Sequence, residues 1–167
     1  MALLFSAMVG PTGRVFTFEP SPVNYARLER NVNANRRTNL TVVKSAASDR
    51  EGEAFIEGRG TISAILENGK EASAPLSRIR TIRLDDFAYG SGNATPTFVK
   101  VDVEGYAGPV LEGMRRILEN AHPGILCEIH NPHEEALIRC VLTDYHYRVL
   151  PIGSEKRYPR RAMALPV

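Results

Sequence analysis

At 167 residues with 43% hydrophobic side chains, the chain fits one domain able to bury a real core without disulfide staples. Its 21 basic and 19 acidic residues leave a formal net charge of only +2, which specifies no partner. Basic residues bunch at Arg36 and Arg37, at Arg115 and Arg116, and from Lys156 through Arg161. Without interleaved aromatics or a nucleic-acid motif they are expected to be solvated charge rather than a nucleic-acid surface.

The opening stretch Ala2 to Val9 has helix-forming composition, stopped by Gly10-Pro11-Thr12-Gly13. It is short of the roughly 20 apolar residues a membrane span needs and lacks the basic start of a signal peptide, so the cytoplasm is expected. Arg14 to Phe18 reads as a strand, halted at Glu19-Pro20. Ser21 with Pro22 predicts the N-cap and first position of a helix carrying Tyr25, Leu28 and Val32 on one stripe. Leu40 to Val43 predicts a second strand, followed by the small residues Ser45, Ala46, Ala47 and Ser48, then Asp49.

Two short runs, Ala54 to Ile56 and Thr61 to Ser63, predict a hairpin around Gly58 and Gly60. A surface loop is expected from Glu67 to Ser77, a strand from Ile79 to Leu84, and a second loop from Tyr89 to Pro96. The apolar run Phe98 to Val103 has the length of a strand buried on both faces. One helix is expected from about Gly108 to Asn120, a buried strand from Gly124 to Ile129, and a helix from His133 to Leu142. Tyr147 to Leu150 and Ala162 to Val167 complete the set as strands. Cys127 and Cys140 both read as small core residues in a reducing compartment.

Strands alternating with helices predict an α/β fold with a mostly parallel sheet and helices on both faces. Ligands in such sheets bind at the carboxyl ends of the strands. Those ends carry Glu19 and Pro20, the Ser45 to Asp49 segment, Asp102 to Gly105, and Glu128 to Asn131. A carboxylate such as Glu19 offers paired acceptors for vicinal ribose hydroxyls, and equally reads as a cap to the helix starting at Ser21. Ala46 and Ala47 would admit a flat ring. Asp102 and Glu104 make a concentrated negative site suited to an amino group, a divalent metal or a substrate hydroxyl. His130, beside Glu128, is the residue type that takes a proton from a hydroxyl nucleophile, although the same side chains also fit a metal site.

Val15 to Pro22 with Leu28, Asn31 and Val32 resembles the "FEPxP...L..N" segment of FkbM-type methyltransferases. Ala46 to Gly52 is similar to that family's "AxxDxxG", Arg83 to Phe87 to its "LDD", Lys100 to Gly105 to its "KxDxEG", and Pro123 to Glu128 to its hydrophobic strand ending in Glu. The resemblance runs from about Val9 to Leu150 and implies a Rossmann-like class I methyltransferase fold, one domain over residues 1–167. It implies S-adenosylmethionine as methyl donor and O-methylation of a hydroxyl on a sugar or secondary metabolite. By position, Glu19 and Pro20 would hold the ribose, Ser45, Ala46, Ala47 and Asp49 would border the adenine, and Asp102 and Glu104 would line the reaction centre; Glu128 and His130 are candidates there by residue type alone. No metal, nucleic acid or membrane is implied, and no oligomeric state.

Two features depart from the family pattern. The family opens with a strand and a turn of the form "DxGAxxG", so Ala2 to Val9 reads as the helix after that turn, with the strand and glycines missing from the domain. Where the family often continues "EGxE", this chain has Glu104-Gly105-Tyr106-Ala107. The competing expectation is therefore a non-catalytic member of the fold that serves as a binding or interaction module.

Overall fold

The computed structural model describes residues 1–57, 64–66, 76–154 and 157–167. The predicted run Thr61 to Ser63, most of the expected loop Glu67 to Ser77, and Lys156 of the basic cluster lie outside the described residues. The chain divides into two compact units, one of Met1–Ala46 with Glu53–Thr81 and the other of Ala47–Gly52 with Ile82–Val167.

In the first unit α1 (Ala2–Met8) leads into β1 (Val15–Phe18), α2 (Pro22–Ala34) and β2 (Leu40–Val43). β1 and β2 pair in parallel, Val15 opposite Leu40 through Phe18 opposite Val43, as strand–helix–strand connectivity requires. The start of α2 follows its sequence signal: Ser21 Oγ accepts the Asn24 N–H at 3.5 Å and Pro22 occupies the first turn, where its missing donor is not needed. Asn39 ties α1 to the strand ahead, its side-chain amide donating to the Ser6 and Gly10 carbonyls at 2.9 Å each while Ser6 donates to its oxygen. A second sheet, of order β3-β6-β4-β5, contains β3 (Ala46–Ala47), β4 (Gly52–Glu57), β5 (Ala64–Leu66) and β6 (Leu76–Ile82). β4 and β5 pair antiparallel, so Ala54 to Ile56 does belong to a hairpin-like pair, with Ile56 and Ile79 packing on Ala46.

The second unit is built on β7 (Phe98–Val101), β8 (Gly124–Ile129), β9 (Tyr147–Ile152) and β10 (Arg160–Pro166), in the order β7-β8-β10-β9. β7 and β8 are parallel, but β10 runs antiparallel to both β8 and β9, so the expected mostly parallel sheet is a mixed one. The reason lies in chain length. Only seven residues separate Ile152 from Arg160, too few for a parallel crossover, so the last strand returns antiparallel.

Three helices, α3 (Ala107–Glu112), α4 (Arg115–Asn120) and α5 (Pro132–Asp144), supply the core of this unit. Leu111, Met114, Leu118, Ile138 and Leu142 are fully buried against Val101, Ile125, Cys127 and Ile129. All of these strand residues point to one face. β8 accordingly alternates between buried and half-buried positions, and Phe98 of β7 is 44% exposed. The expectation of strands buried on both faces is thus corrected for β7 and β8, while α3, α4 and α5 share one face of this sheet.

The single helix expected over Gly108 to Asn120 is two, broken at Gly113 and Met114. Gly113 has an ordinary φ of −76°, so backbone freedom is not what demands glycine there. An added Cβ would lie 1.9 Å from the Ser48 carbonyl oxygen and 2.8 Å from its carbon. The break gives α4 a free N-terminus whose capping residue, Met114, has no side-chain acceptor. Asp85 takes that role from elsewhere in the chain, its carboxylate accepting the Arg116 and Ile117 N–H groups at 3.0 Å each.

Smaller differences follow local chemistry. The stretch predicted as a loop from Tyr89 begins inside a π-helical turn, Asp86–Gly90, and α5 starts at Pro132 rather than His133 because Asn131 caps it. Cys127 is buried as expected, which pushes its thiol pKa up to about 12. Cys140 is exposed, on the face of α5 opposite the Ile138 and Leu142 stripe, so the core reading of that residue is corrected. Among the described residues no helix is long and apolar enough to cross a membrane.

Candidate functional site

In the second unit the carboxyl ends of the parallel pair β7 and β8 bring together Asp102, Glu104 and His130. His130 Nε2 lies 3.5 Å from Glu104 Oε2 and 3.9 Å from Asp102 Oδ1. One donor atom from each residue falls within 4.8 Å of the other two, close enough for the set to be drawn around one divalent ion. Asp102 and Glu104 are exposed, while the His130 side chain keeps 17% of its accessibility.

The placement has a local cause. β7 ends at Val101, and the following turn puts Glu104 at φ +49° and Gly105 at φ +94°. The left-handed conformation costs a non-glycine residue roughly 1 kcal/mol, and such departures gather at binding and catalytic sites. The turn holds the Glu104 carboxylate back toward β8.

Two residues of the site carried no assigned role in the sequence reading. Lys100, two positions before Asp102 on the same strand face, donates from Nζ to Asp102 Oδ2. Glu134 is 1% exposed and accepts the His130 N–H at 2.7 Å and the Ala107 N–H at 3.2 Å. Its Oε2 also lies 3.4 Å from His130 Nδ1 without a hydrogen bond between them, so the carboxylate holds the His130 backbone and stands beside its ring. The signal for it was present: Asn131 and Glu134 stand at the spacing of a helix capping box, and Asn131 Oδ1 does accept the Glu134 N–H at 2.9 Å. Ala107, at the position where the family often has a carboxylate, is fully buried, and the Glu134 carboxylate lies against its backbone.

Glu128 is half-buried two residues before His130 on the same face of β8, with Arg161 as its ladder partner on β10. Ala47 enters the short strand β3, and Asp49 Oδ1 accepts from the Ser48 hydroxyl at 3.0 Å. Ser48 in turn meets the Tyr106 hydroxyl at 3.2 Å.

The remaining predicted residues belong to the first unit. Glu19 stands directly after β1, its N–H bonded to the Val43 carbonyl at the end of β2. Its Oε1 accepts the Ser21 N–H at 2.9 Å, so the capping role is realised in the geometry. Burial raises the Glu19 pKa above its ordinary value, against smaller opposing effects of hydrogen bonds from Ser21 and Asn24. Ser45 and Ala46 are both buried, leaving no bulky side chain where β2 gives way to β3, and Pro20 follows Glu19 as the chain turns toward α2.

The raised pKa implies a pH dependence of stability. A carboxyl that holds its proton more tightly in the native state than in the unfolded one loses native stability as pH rises from its ordinary value through the raised one. Glu19→Gln is therefore expected to unfold at a higher temperature than the parent at neutral pH, with the difference vanishing in acid. Melting curves over that pH range check this, and a variant less stable than the parent at pH 7 refutes it.

Comparison with known proteins places the chain in a family. The family model described as Methyltransferase FkbM domain matches residues 1–152. Hexuronic acid methyltransferase AglP of Haloferax volcanii is 32% identical over 118 residues, which are 70% of this chain and 47% of that protein. The chain thus spans about half the length of the curated relative it matches. The fold is similar to the crystal structure of Methyltransferase FkbM from Methylobacillus flagellatus KT, with a TM-score of 0.68 at 17% identity over 98% of this chain and 40% of that one. It is also similar to precorrin-6y C5,15-methyltransferase from Geobacter metallireducens GS-15, with a TM-score of 0.54 at 16% identity over 92% of this chain and 67% of the other. Because the match takes in residues 1–152, most of its length, this chain belongs to the FkbM methyltransferase domain family.

Proposed function

We propose that the chain works as part of an S-adenosylmethionine-dependent O-methyltransferase whose acceptor is a hydroxyl of a sugar or related metabolite. The observation that carries the reading is the convergence of His130 with Asp102 and Glu104 at the carboxyl ends of β7 and β8. The hexuronic acid methyltransferase relative supports a sugar as acceptor. A cytoplasmic location fits the two free cysteines, Cys127 and Cys140.

The residue types at these strand ends are those that a methyl donor's nucleoside would need. Glu19, partly buried with a carboxylate at a strand end, would hold ribose hydroxyls, Pro20 would shape the turn beside it, and Ser45, Ala46, Ala47 and Asp49 would border the base. When bound, the donor supplies an electrophilic methyl carbon on a sulfonium. The carboxylates of Asp102 and Glu104 orient the acceptor hydroxyl by accepting hydrogen bonds and attract the positive charge of the donor. His130 would receive the proton of the acceptor hydroxyl at Nε2. The Glu134 carboxylate, 3.4 Å from Nδ1, would favour the positive charge that the imidazole takes on with the proton. Lys100 positions Asp102.

Titration calorimetry with S-adenosylmethionine tests the donor assignment. Saturable binding is expected, weakened about tenfold by Glu19→Gln because a charged acceptor of two hydroxyls is lost. Absence of binding by this chain and by a longer chain containing it removes the reading. For the proton acceptor, His130→Asn is expected to lower kcat by roughly 10²-fold, about 2.7 kcal/mol, with donor affinity unchanged. A variant with unaltered turnover shows that His130 is not the base.

A further inference from the structure

At the amino ends of β1 and β2 the first unit holds a cavity of about 280 Å³. It lies between the end of α1, at Ser6 and Gly10, and the link from α2 to β2, at Arg36, Arg37, Thr38 and Asn39. Among the described residues none that lines it is acidic. The surrounding sequence is equally one-sided: Met1 to Phe18 and Arg30 to Ser48 contain no Asp or Glu, yet carry Arg14, Arg30, Arg36, Arg37 and Lys44.

The two cavity arginines are not needed by the helix ends beside them. At the end of α2 the open carbonyls are met by backbone, Asn35 N–H donating to Asn31 at 3.1 Å, Arg36 N–H to Asn33 at 3.1 Å and Arg37 N–H to Val32 at 3.2 Å. At the end of α1 the Asn39 side-chain amide serves the Ser6 and Gly10 carbonyls. Arginine side chains often take such carbonyls; here both guanidiniums are left over. Both residues are exposed, and among the described residues neither side chain makes a hydrogen bond or an ion pair. Arg36 also stands at φ +50°, a left-handed conformation that glycine or asparagine would adopt at less cost. The strained turn sets two adjacent arginines on one cavity wall.

We propose that this cavity binds the phosphate group of a phosphorylated metabolite, gripped by Arg36 and Arg37. Two unmatched guanidiniums balance a dianion in charge, and their planar forks offer paired N–H groups to its oxygens. Thr38, on the same wall, adds a hydroxyl donor. The lack of carboxylates in the surrounding chain leaves the local potential positive and concentrates anions there. β1 and β2 run in parallel from this end to Phe18 and Val43, and four strand residues span about 13 Å. The phosphate site is therefore separate from the strand end at Glu19 and does not depend on the methyl-transfer reading.

The test is a titration of the full chain with inorganic phosphate, followed by amide NMR at constant ionic strength without methyl donor. Acetate and a short DNA duplex are titrated in parallel. Phosphate is expected to shift the amides of Gly10 and of Arg36 to Asn39 saturably, and to bind at least about tenfold more tightly than acetate. Arg37→Gln is expected to weaken phosphate binding about tenfold. Arg148→Gln, the same charge change at an exposed position of β9, is expected to leave it unaltered. Arg36→Gly separates binding from folding: it is expected to raise the thermal midpoint by about 3 °C, because glycine relieves the left-handed turn, while weakening phosphate about tenfold. Shifts that do not saturate, equal affinity for acetate, or binding untouched by Arg37→Gln reduce the pair to solvated charge and overturn the proposal. Duplex binding tighter than phosphate binding, and lost in Arg37→Gln, assigns the patch to nucleic acid and overturns it as well. Because no methyl donor is present, each of these failures leaves the donor assignment to be judged by its own titration.

Discussion

Gly113→Ala is expected to destabilise the fold by about 4 kcal/mol, lowering the thermal midpoint by roughly 10 °C or more. The added carbon would stand 1.9 Å from the Ser48 carbonyl oxygen, and the obstacle is backbone on both sides, so no side-chain rotation relieves it. Separating the two chains would also stretch the bond from the Asp85 N–H to the Gly113 carbonyl, 2.9 Å long. Gly108→Ala is the internal control. Gly108 sits in α3, where an added Cβ meets the Leu137 side-chain tip at 3.3 Å, which can yield, and alanine is the better helix former. Differential scanning calorimetry of both variants decides the matter: similar midpoints for the two would show that the approach of Gly113 to Ser48 does not govern stability.

Asp85→Ala is expected to cost about 3 kcal/mol, with Asp85→Asn recovering around half of it. Asp85 is wholly buried, and its two oxygens satisfy two of the donors that any helix leaves open at its start. Removing the carboxylate strands the buried Ile117 N–H without an acceptor and leaves Arg83, 3.7 Å away, without its buried counter-charge. Asparagine keeps one accepting oxygen but turns an amide donor toward the second N–H. Urea denaturation compares midpoints at constant slope. Stability losses below about 1 kcal/mol for Asp85→Ala would show that water or a shifted backbone replaces the cap.

These two residues mark the line between what the amino-acid order reveals and what it conceals. The Ser21-Pro22 start of α2 was legible because capping is a matter of three or four neighbouring residues. So were β2, the strand core of β1, and the position of Asp102 and Glu104 just beyond a strand. His130 and Glu128 were placed at the end of β8 for the same reason, and the ordered motifs carried the family. Gly113 and Asp85 were not legible as a pair. Their partners lie 65 and about 31 residues away along the chain, and no local periodicity records such a distance.

The chain's own sequence determined its α/β character, its family and the strand ends where chemistry is expected, because those depend on propensity, capping and residue type over short spans. Tertiary structure alone decided that the sheet of the second unit is mixed, that three helices crowd one of its faces, and that Cys140 faces out. It also decided that Glu134 stands behind His130. Each of these rests on which segments meet across the fold, and meeting is set by packing and by the reach of connecting chain rather than by any neighbour in the sequence.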